Sequence, residues 1–163
     1  MIRNNFCVFI LTHGRADNVL TIKSLKKAGY TGEVYFVCDD EDAQLDKYIL
    51  NFGKDKVLIF NKNEVKKKID VCDNFNKMGV ILYARNVCFD FAKKLGYKYF
   101  LELDDDYTEW LYRYVEDSKL KSKKLKGLDN YFELMLNFLD KSNAVSVAFA
   151  QGGDFVGGGR RLY

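Results

Sequence analysis

Three consecutive aspartates, Asp104-Asp105-Asp106, follow directly on the apolar run Tyr99-Phe100-Leu101-Glu102-Leu103. Adjacent carboxylates repel one another unless a cation neutralises them. Side-chain alternation along an extended segment places Asp104 and Asp106 on one side, able to face a single ion, with Asp105 turned elsewhere. Hard oxygen ligands suit Mg²⁺ or Mn²⁺, and such an ion bridges naturally to phosphate oxygens. The plain alternative is a solvated acidic turn. Two further polar clusters follow apolar runs in the same way: Thr12-His13-Gly14-Arg15, and Asp39-Asp40-Glu41-Asp42.

Arg15 and Arg85 have the planar forks that match phosphate oxygens, and Asp39 and Asp40 offer acceptors for a base amide or a ribose hydroxyl. Each also has an ordinary reading, as a surface arginine or a loop acid. His13 is the single histidine of the chain, so a Ser-His-Asp or Cys-His machine is improbable, and carboxylates with a metal are the chemistry on offer.

The elements that would position these residues are legible as alternating apolar strands and amphipathic helices. Strands are expected at 6–11, 34–38, 57–60, 98–103 and 144–150, and helices from about Asp17 to Ala28, over 45–52, 81–95 and 128–139. Gly29, Gly53 and Gly96 are placed to end three of the helices. Residues 61–77 read as a Lys-rich loop with a short helix, 107–126 as a mixed segment, and the tail from Gln151 as glycine-rich. This alternation implies an α/β fold with a mostly parallel sheet and helices on both faces, in which ligands bind at the carboxyl ends of the strands. All three polar clusters lie at such ends.

The chain has 163 residues, 48% hydrophobic and 15% aromatic, enough for one domain with a packed core. No apolar run reaches the roughly 18 residues that span a bilayer, which leads to an expectation of cytoplasmic residence. A net charge of +3 does not by itself imply nucleic-acid binding, although Lys66-Lys67-Lys68 and the stretch 119–126 concentrate lysines. Those runs read as solvated faces or as polyanion contacts. Cys7, Cys38, Cys72 and Cys88 lack metal-site spacing and are expected to be reduced core thiols.

The stretch Tyr99-Phe-Leu-Glu-Leu-Asp-Asp-Asp106 resembles the DxD segment of GT-A fold glycosyltransferases, and the order of the other motifs agrees. Ile10-Leu-Thr-His-Gly-Arg15 looks like the first strand and turn of that fold, Val37-Cys-Asp-Asp40 like its second strand with the base-reading carboxylate, and Ala84-Arg85-Asn86 like the Ala-Arg-Asn on the helix before the DxD strand. A finer likeness is to the TET-associated group, phage-type enzymes thought to glycosylate hydroxymethylated bases in DNA, through Thr12-His-Gly-Arg15, Leu103-Asp-Asp-Asp-Tyr107 and Gln151-Gly-Gly153.

The resemblance implies a site for a nucleoside-diphosphate sugar, most simply a UDP-sugar. Thr12, Arg15, Asp39, Asp40, Arg85, Asn86, Asp104 and Asp105 would contact the donor, and Asp104 and Asp106 the Mn²⁺ or Mg²⁺. It implies transfer of the sugar to an acceptor hydroxyl, with a modified DNA base as one candidate acceptor. It assigns no catalytic residue. Enzymes of that fold usually continue for a hundred residues or more beyond the triplet. The chain is therefore expected to be one GT-A-like domain, the donor half, with most of the acceptor half missing and Asp154 as the one candidate base. An open sheet edge would favour a homodimer. A Mg²⁺-dependent nucleotidyltransferase, or a sugar-nucleotide-binding or other interaction module without turnover, are the competing readings.

Overall fold

The computed structural model describes residues 2–70 and 81–150. Cys72, Gln151-Gly152-Gly153 and Asp154, like the rest of the glycine-rich tail, lie outside the described residues. In chain order the elements are β1 (Phe6–Leu11), α1 (Leu20–Lys27), β2 (Glu33–Asp39), α2 (Leu45–Phe52), β3 (Val57–Phe60), α3 (Lys62–Lys66), α4 (Leu82–Leu95), β4 (Tyr99–Asp104), β5 (Leu111–Glu116), β6 (Lys119–Lys124) and α5 (Leu128–Lys141).

Four strands form a parallel sheet in the order β3-β2-β1-β4, and β5 and β6 form a separate antiparallel pair. The fold is thus α/β with a parallel sheet, as the alternation of elements implied. β1 is buried at every position, which explains its unbroken apolar run. Its even-numbered residues, Val8 and Ile10, pack under α1, α2 and α5 with Leu25, Tyr48, Leu128 and Phe132. Its odd-numbered residues, Cys7, Phe9 and Leu11, pack under α3 and α4 with Val65, Tyr83, Val87 and Cys88. Burial pushes the Cys7 thiol up to about 12 and raises those of Cys38 and Cys88 as well, so these three are inert core thiols.

The sheet grows outward from β1 in both directions. The chain runs from β1 to β2 to β3 on one side, then crosses the other face through α4 and returns as β4 on the far side of β1. Strand order therefore reverses between β1 and β4. In open α/β sheets ligands bind outside the carboxyl ends of the strands at such a switch. Thr12–Arg15 leaves β1 there, and the aspartates leave β4.

Three expectations need correction. α1 begins at Leu20 rather than near Asp17, because the amides of Leu20 and Thr21 donate to the carbonyl of Asp105 (2.8 and 3.2 Å) and not to a preceding turn of their own helix. Residues 144–150 form no strand. Val145 is fully open to solvent, and Phe149 packs on Trp110 and Phe132 (ring centroids 5.2 and 5.8 Å) instead of joining the sheet. The mixed segment is in fact the β5–β6 hairpin, closed by Asp117 and Ser118, both at positive φ (52° and 58°). Among the described residues no helix is long and apolar enough to cross a membrane.

Candidate nucleotide-sugar site

β4 ends at Asp104, and Asp105 and Asp106 turn out of the sheet, so strand alternation governs only the first of the three. Asp104 pairs in register with Leu11 and so shares its face of the sheet, the one covered by α4. One turn into that helix, Arg85 donates to Asp104 Oδ1 at 2.9 Å and to Glu102 Oε2 at 3.3 Å. Burial pushes the Glu102 carboxyl above its ordinary value, although Arg85 pulls the other way. Asn86, the next residue, is not brought to the triplet: its amide donates to the Leu82 carbonyl of its own helix (2.8 Å).

Asp105 is buried and has both carboxylate oxygens engaged. Thr12 Oγ1 donates to Oδ2 (2.7 Å) and Arg15 Nη1 to Oδ1 (2.8 Å). Because an ionised carboxylate only accepts, the Thr12 hydroxyl proton is committed to Asp105. Tyr48 must then donate to Thr12 (2.8 Å), and its oxygen accepts from the Arg15 amide (2.8 Å). The result is a directed chain from the Arg15 backbone through Tyr48 and Thr12 to Asp105, joining α2, β1 and β4. Asp106 is largely exposed, with its carboxylate 3.9 Å from the same Arg15 guanidinium. Arg15 therefore lies between two of the aspartates and Arg85 beside the third. The backbone of the triplet also carries load: Thr21 Oγ1 donates to the Asp104 carbonyl (2.6 Å) and accepts from the Tyr107 amide (2.9 Å).

The β2 end contributes a second group. Asp39 is buried, with Lys62 Nζ 2.9 Å from Oδ1 and His13 Nδ1 2.7 Å from Oδ2. Burial alone would raise its carboxyl, but hydrogen bonds from Lys62 and His13 outweigh that and hold it below the usual carboxylate range. For Lys62 burial works downward, and Asp39 and Glu41 overcome it. Since Asp39 accepts, the His13 nitrogen facing it carries the proton, which leaves Nε2 as an acceptor in the neutral ring. Asp40 turns the other way, accepting from Asn61 and from the Lys62 amide at the start of α3.

The loop between β1 and α1 is held from below by residues outside the expected donor contacts. Asp42 accepts from the Gly14 amide (2.8 Å), and Gln44 accepts from the Ala16 amide (3.0 Å) while donating to the Gly14 carbonyl (2.9 Å). Asp42 at the end of an acidic run offered a signal. Tyr48, Gln44 and Lys62 offered none, since each becomes polar machinery only through contacts 20 or more residues away in sequence.

Among the described residues no group of three or more His, Cys, Asp or Glu converges as a ready cation site. What the triplet does offer is hard oxygen. Asp104 is half exposed with one oxygen on Arg85, and Asp106 is open to solvent. Each therefore keeps carboxylate oxygen open to a further partner.

A family comparison matches residues 6–162 to the TET-associated glycosyltransferases, and the chain belongs to that family. It is also 31% identical over 124 residues to a protein of Acanthamoeba polyphaga mimivirus described as an uncharacterized glycosyltransferase, an alignment that covers 69% of this chain and 48% of the relative. The chain spans about half the length of the curated relative it matches. No solved structure matches it.

Proposed function

We propose that the chain binds a nucleoside-diphosphate sugar, most simply a UDP-sugar, where strand order reverses between β1 and β4, and serves the transfer of that sugar to an acceptor hydroxyl. The observation that carries this is the Thr12–Asp105–Arg15 junction, which fixes the triplet and a guanidinium together at the carboxyl ends of β1 and β4. Arg15 and Arg85 stand on either side of the triplet to receive phosphate oxygens, each able to exchange a carboxylate partner for the incoming anion. Asp105, with both oxygens occupied, holds the turn in place. Asp104 and Asp106 would hold Mn²⁺ or Mg²⁺, which when bound supplies charge withdrawal from the departing diphosphate. Asp39, by holding the proton on His13 Nδ1, leaves Nε2 as an acceptor for the base or ribose.

The family to which the chain belongs supports a hydroxymethylated DNA base as acceptor. Cytoplasmic residence, one GT-A-like domain and a homodimer closing an open sheet edge belong to the same reading. A monodisperse monomer in light scattering would count against the homodimer.

The test is a thermal-shift series with MnCl₂ and a panel of sugar nucleotides. Metal-dependent stabilisation by a UDP-sugar, lost in Asp106→Ala, supports the proposal. Absence of stabilisation by any nucleotide, with or without metal, would overturn it.

A further inference from the structure

The strongest feature outside that site is the β5–β6 hairpin. Residues 111–126 carry six basic side chains and two acidic ones, a local charge of +4 against +3 for the whole chain, so the remainder is at −1. The positive charge of the protein is thus concentrated in one ribbon.

Cross-strand register sorts this ribbon into two faces. Tyr112 opposes Lys123, Tyr114 opposes Lys121, and Glu116 opposes Lys119, so two tyrosines and three lysines share one face. The tyrosine rings lie nearly parallel (12°) with centroids 6.1 Å apart, and Lys123 Nζ sits 5.6 and 5.7 Å from them. Tyr112 is 42% exposed. Lys121 is tied to Glu116, while Lys119 and Lys123 extend the cationic row along the same face.

A solvated lysine face needs no aromatic rings, and an apolar docking face would not be lined with lysines. Flat rings interleaved with ammonium groups match one ligand chemistry: an unpaired nucleic-acid strand, whose bases stack on the rings while its phosphates meet the lysines. A two-stranded ribbon is marginal alone, and this one is held by its base. Trp110 and Leu125 are buried in the core, the Leu125 amide donates to the Trp110 carbonyl (2.9 Å), and Tyr112 leans on Tyr131 of α5 (6.4 Å). Only four residues separate Asp106 from the start of β5, five Cα steps with a reach of at most about 17 Å.

We propose that the Tyr112–Tyr114–Lys119–Lys123 face of the hairpin grips a single-stranded stretch of nucleic acid and presents it beside the aspartate triplet. This rests on the reading of the acceptor as nucleic acid and adds to it the surface and the mode of binding.

Fluorescence anisotropy on the full chain, with a labelled single-stranded DNA oligonucleotide and its duplex at several salt concentrations, tests this. The single strand should bind better than the duplex. Tyr112→Ala/Tyr114→Ala should weaken single-strand binding by about tenfold or more, and Tyr112→Phe/Tyr114→Phe should retain it. Lys119→Gln/Lys123→Gln should lower the slope of log affinity against log salt by about 0.7 for each lysine removed. Circular dichroism and the Mn²⁺/UDP-sugar thermal shift should be unchanged in all of these variants, so that a misfolded protein is recognised. If the parent binds DNA and the variants bind it equally, or if duplex is preferred, the hairpin proposal fails and a nucleic-acid acceptor still stands. If the parent binds neither form at low salt, both are overturned.

Discussion

Asp105 Oδ2 accepts from Thr12 Oγ1 at 2.7 Å, a buried bond between residues 93 positions apart that fastens the ends of β1 and β4 to each other. Three aspartates in a row would splay if left to their mutual repulsion. Here the middle one is drawn inward by a hydroxyl and a guanidinium, and its neighbours are left at the surface with arginine partners.

Thr12→Val removes the donor while keeping the shape, and leaves a buried carboxylate oxygen and the Tyr48 hydroxyl without their partner. A loss of about 1–3 kcal/mol is expected in urea unfolding. Tyr48→Phe acts on the same chain of hydrogen bonds, so the double variant should depart from additivity by at least about 0.5 kcal/mol.

Asp39 gives a pH dependence of definite sign. Its native pKa lies below that of the unfolded chain, about 3.9. The stabilisation it provides is therefore fully present above that value and is lost as pH falls through the lower native one. Acid titration followed by circular dichroism should show Asp39→Asn losing stability near neutrality and flattening the acid limb of the curve. An unchanged limb would remove Asp39 as a source of acid sensitivity.

Gly29 and Gly96 both follow helices at positive φ, 84° and 81°, yet they differ in surroundings. A Cβ at Gly29 would meet the Gly127 backbone at 3.3 Å, whereas nothing lies within 4 Å at Gly96. Gly96→Ala should cost about 1 kcal/mol, the left-handed penalty alone. Gly29→Ala should cost more, because α1 and the start of α5 must move apart. Equal midpoints in denaturant would show that this approach is slack.

Arg85→Met should separate binding from folding. The guanidinium is partly exposed, so its ion pairs with Glu102 and Asp104 contribute little stability, and the melting temperature of the free protein should change by only a few degrees. The thermal shift produced by Mn²⁺ with a UDP-sugar should fall sharply. A full shift in the variant would place the diphosphate elsewhere.

The turn of the hairpin places Asp117 and Ser118 in left-handed geometry, which asparagine and glycine occupy more readily. Asp117→Asn/Ser118→Gly should raise amide-exchange protection across β5 and β6 without altering the sheet.

Most of the sheet could be read in the sequence because its strands appear as plain apolar runs, buried throughout in β1 and in part at the edges; β3 was legible to the residue at 57–60. The hairpin was not, since β6 is lysine at four of six positions and its turn lacks the usual Asn-Gly signal. The opposite error arose at 144–150, where an apolar stretch resembles a strand but most of its residues face solvent and Phe149 turns to Trp110 and Phe132. In the site, residue types pointed to the triplet, Arg15 and Asp39, because acids after apolar strands are conspicuous. The directions in which they point depend on tertiary partners such as Tyr48 and Lys62, and no local pattern records those.

Arg3 is bound to Glu133, Asn137 and Asp140 on α5, with the first of these contacts spanning 130 residues. During synthesis at about 5–20 residues per second, the start of the chain waits roughly 6 to 26 s for those partners to emerge. Until then the part of β1 that α5 covers is open, with Phe6 lacking the Phe132 ring that packs on it in the finished protein (centroids 5.5 Å). The interval before α5 docks is the period in which the nascent chain is most exposed to wrong partners, and destabilising α5 should reduce soluble yield more than it reduces the stability of protein already folded.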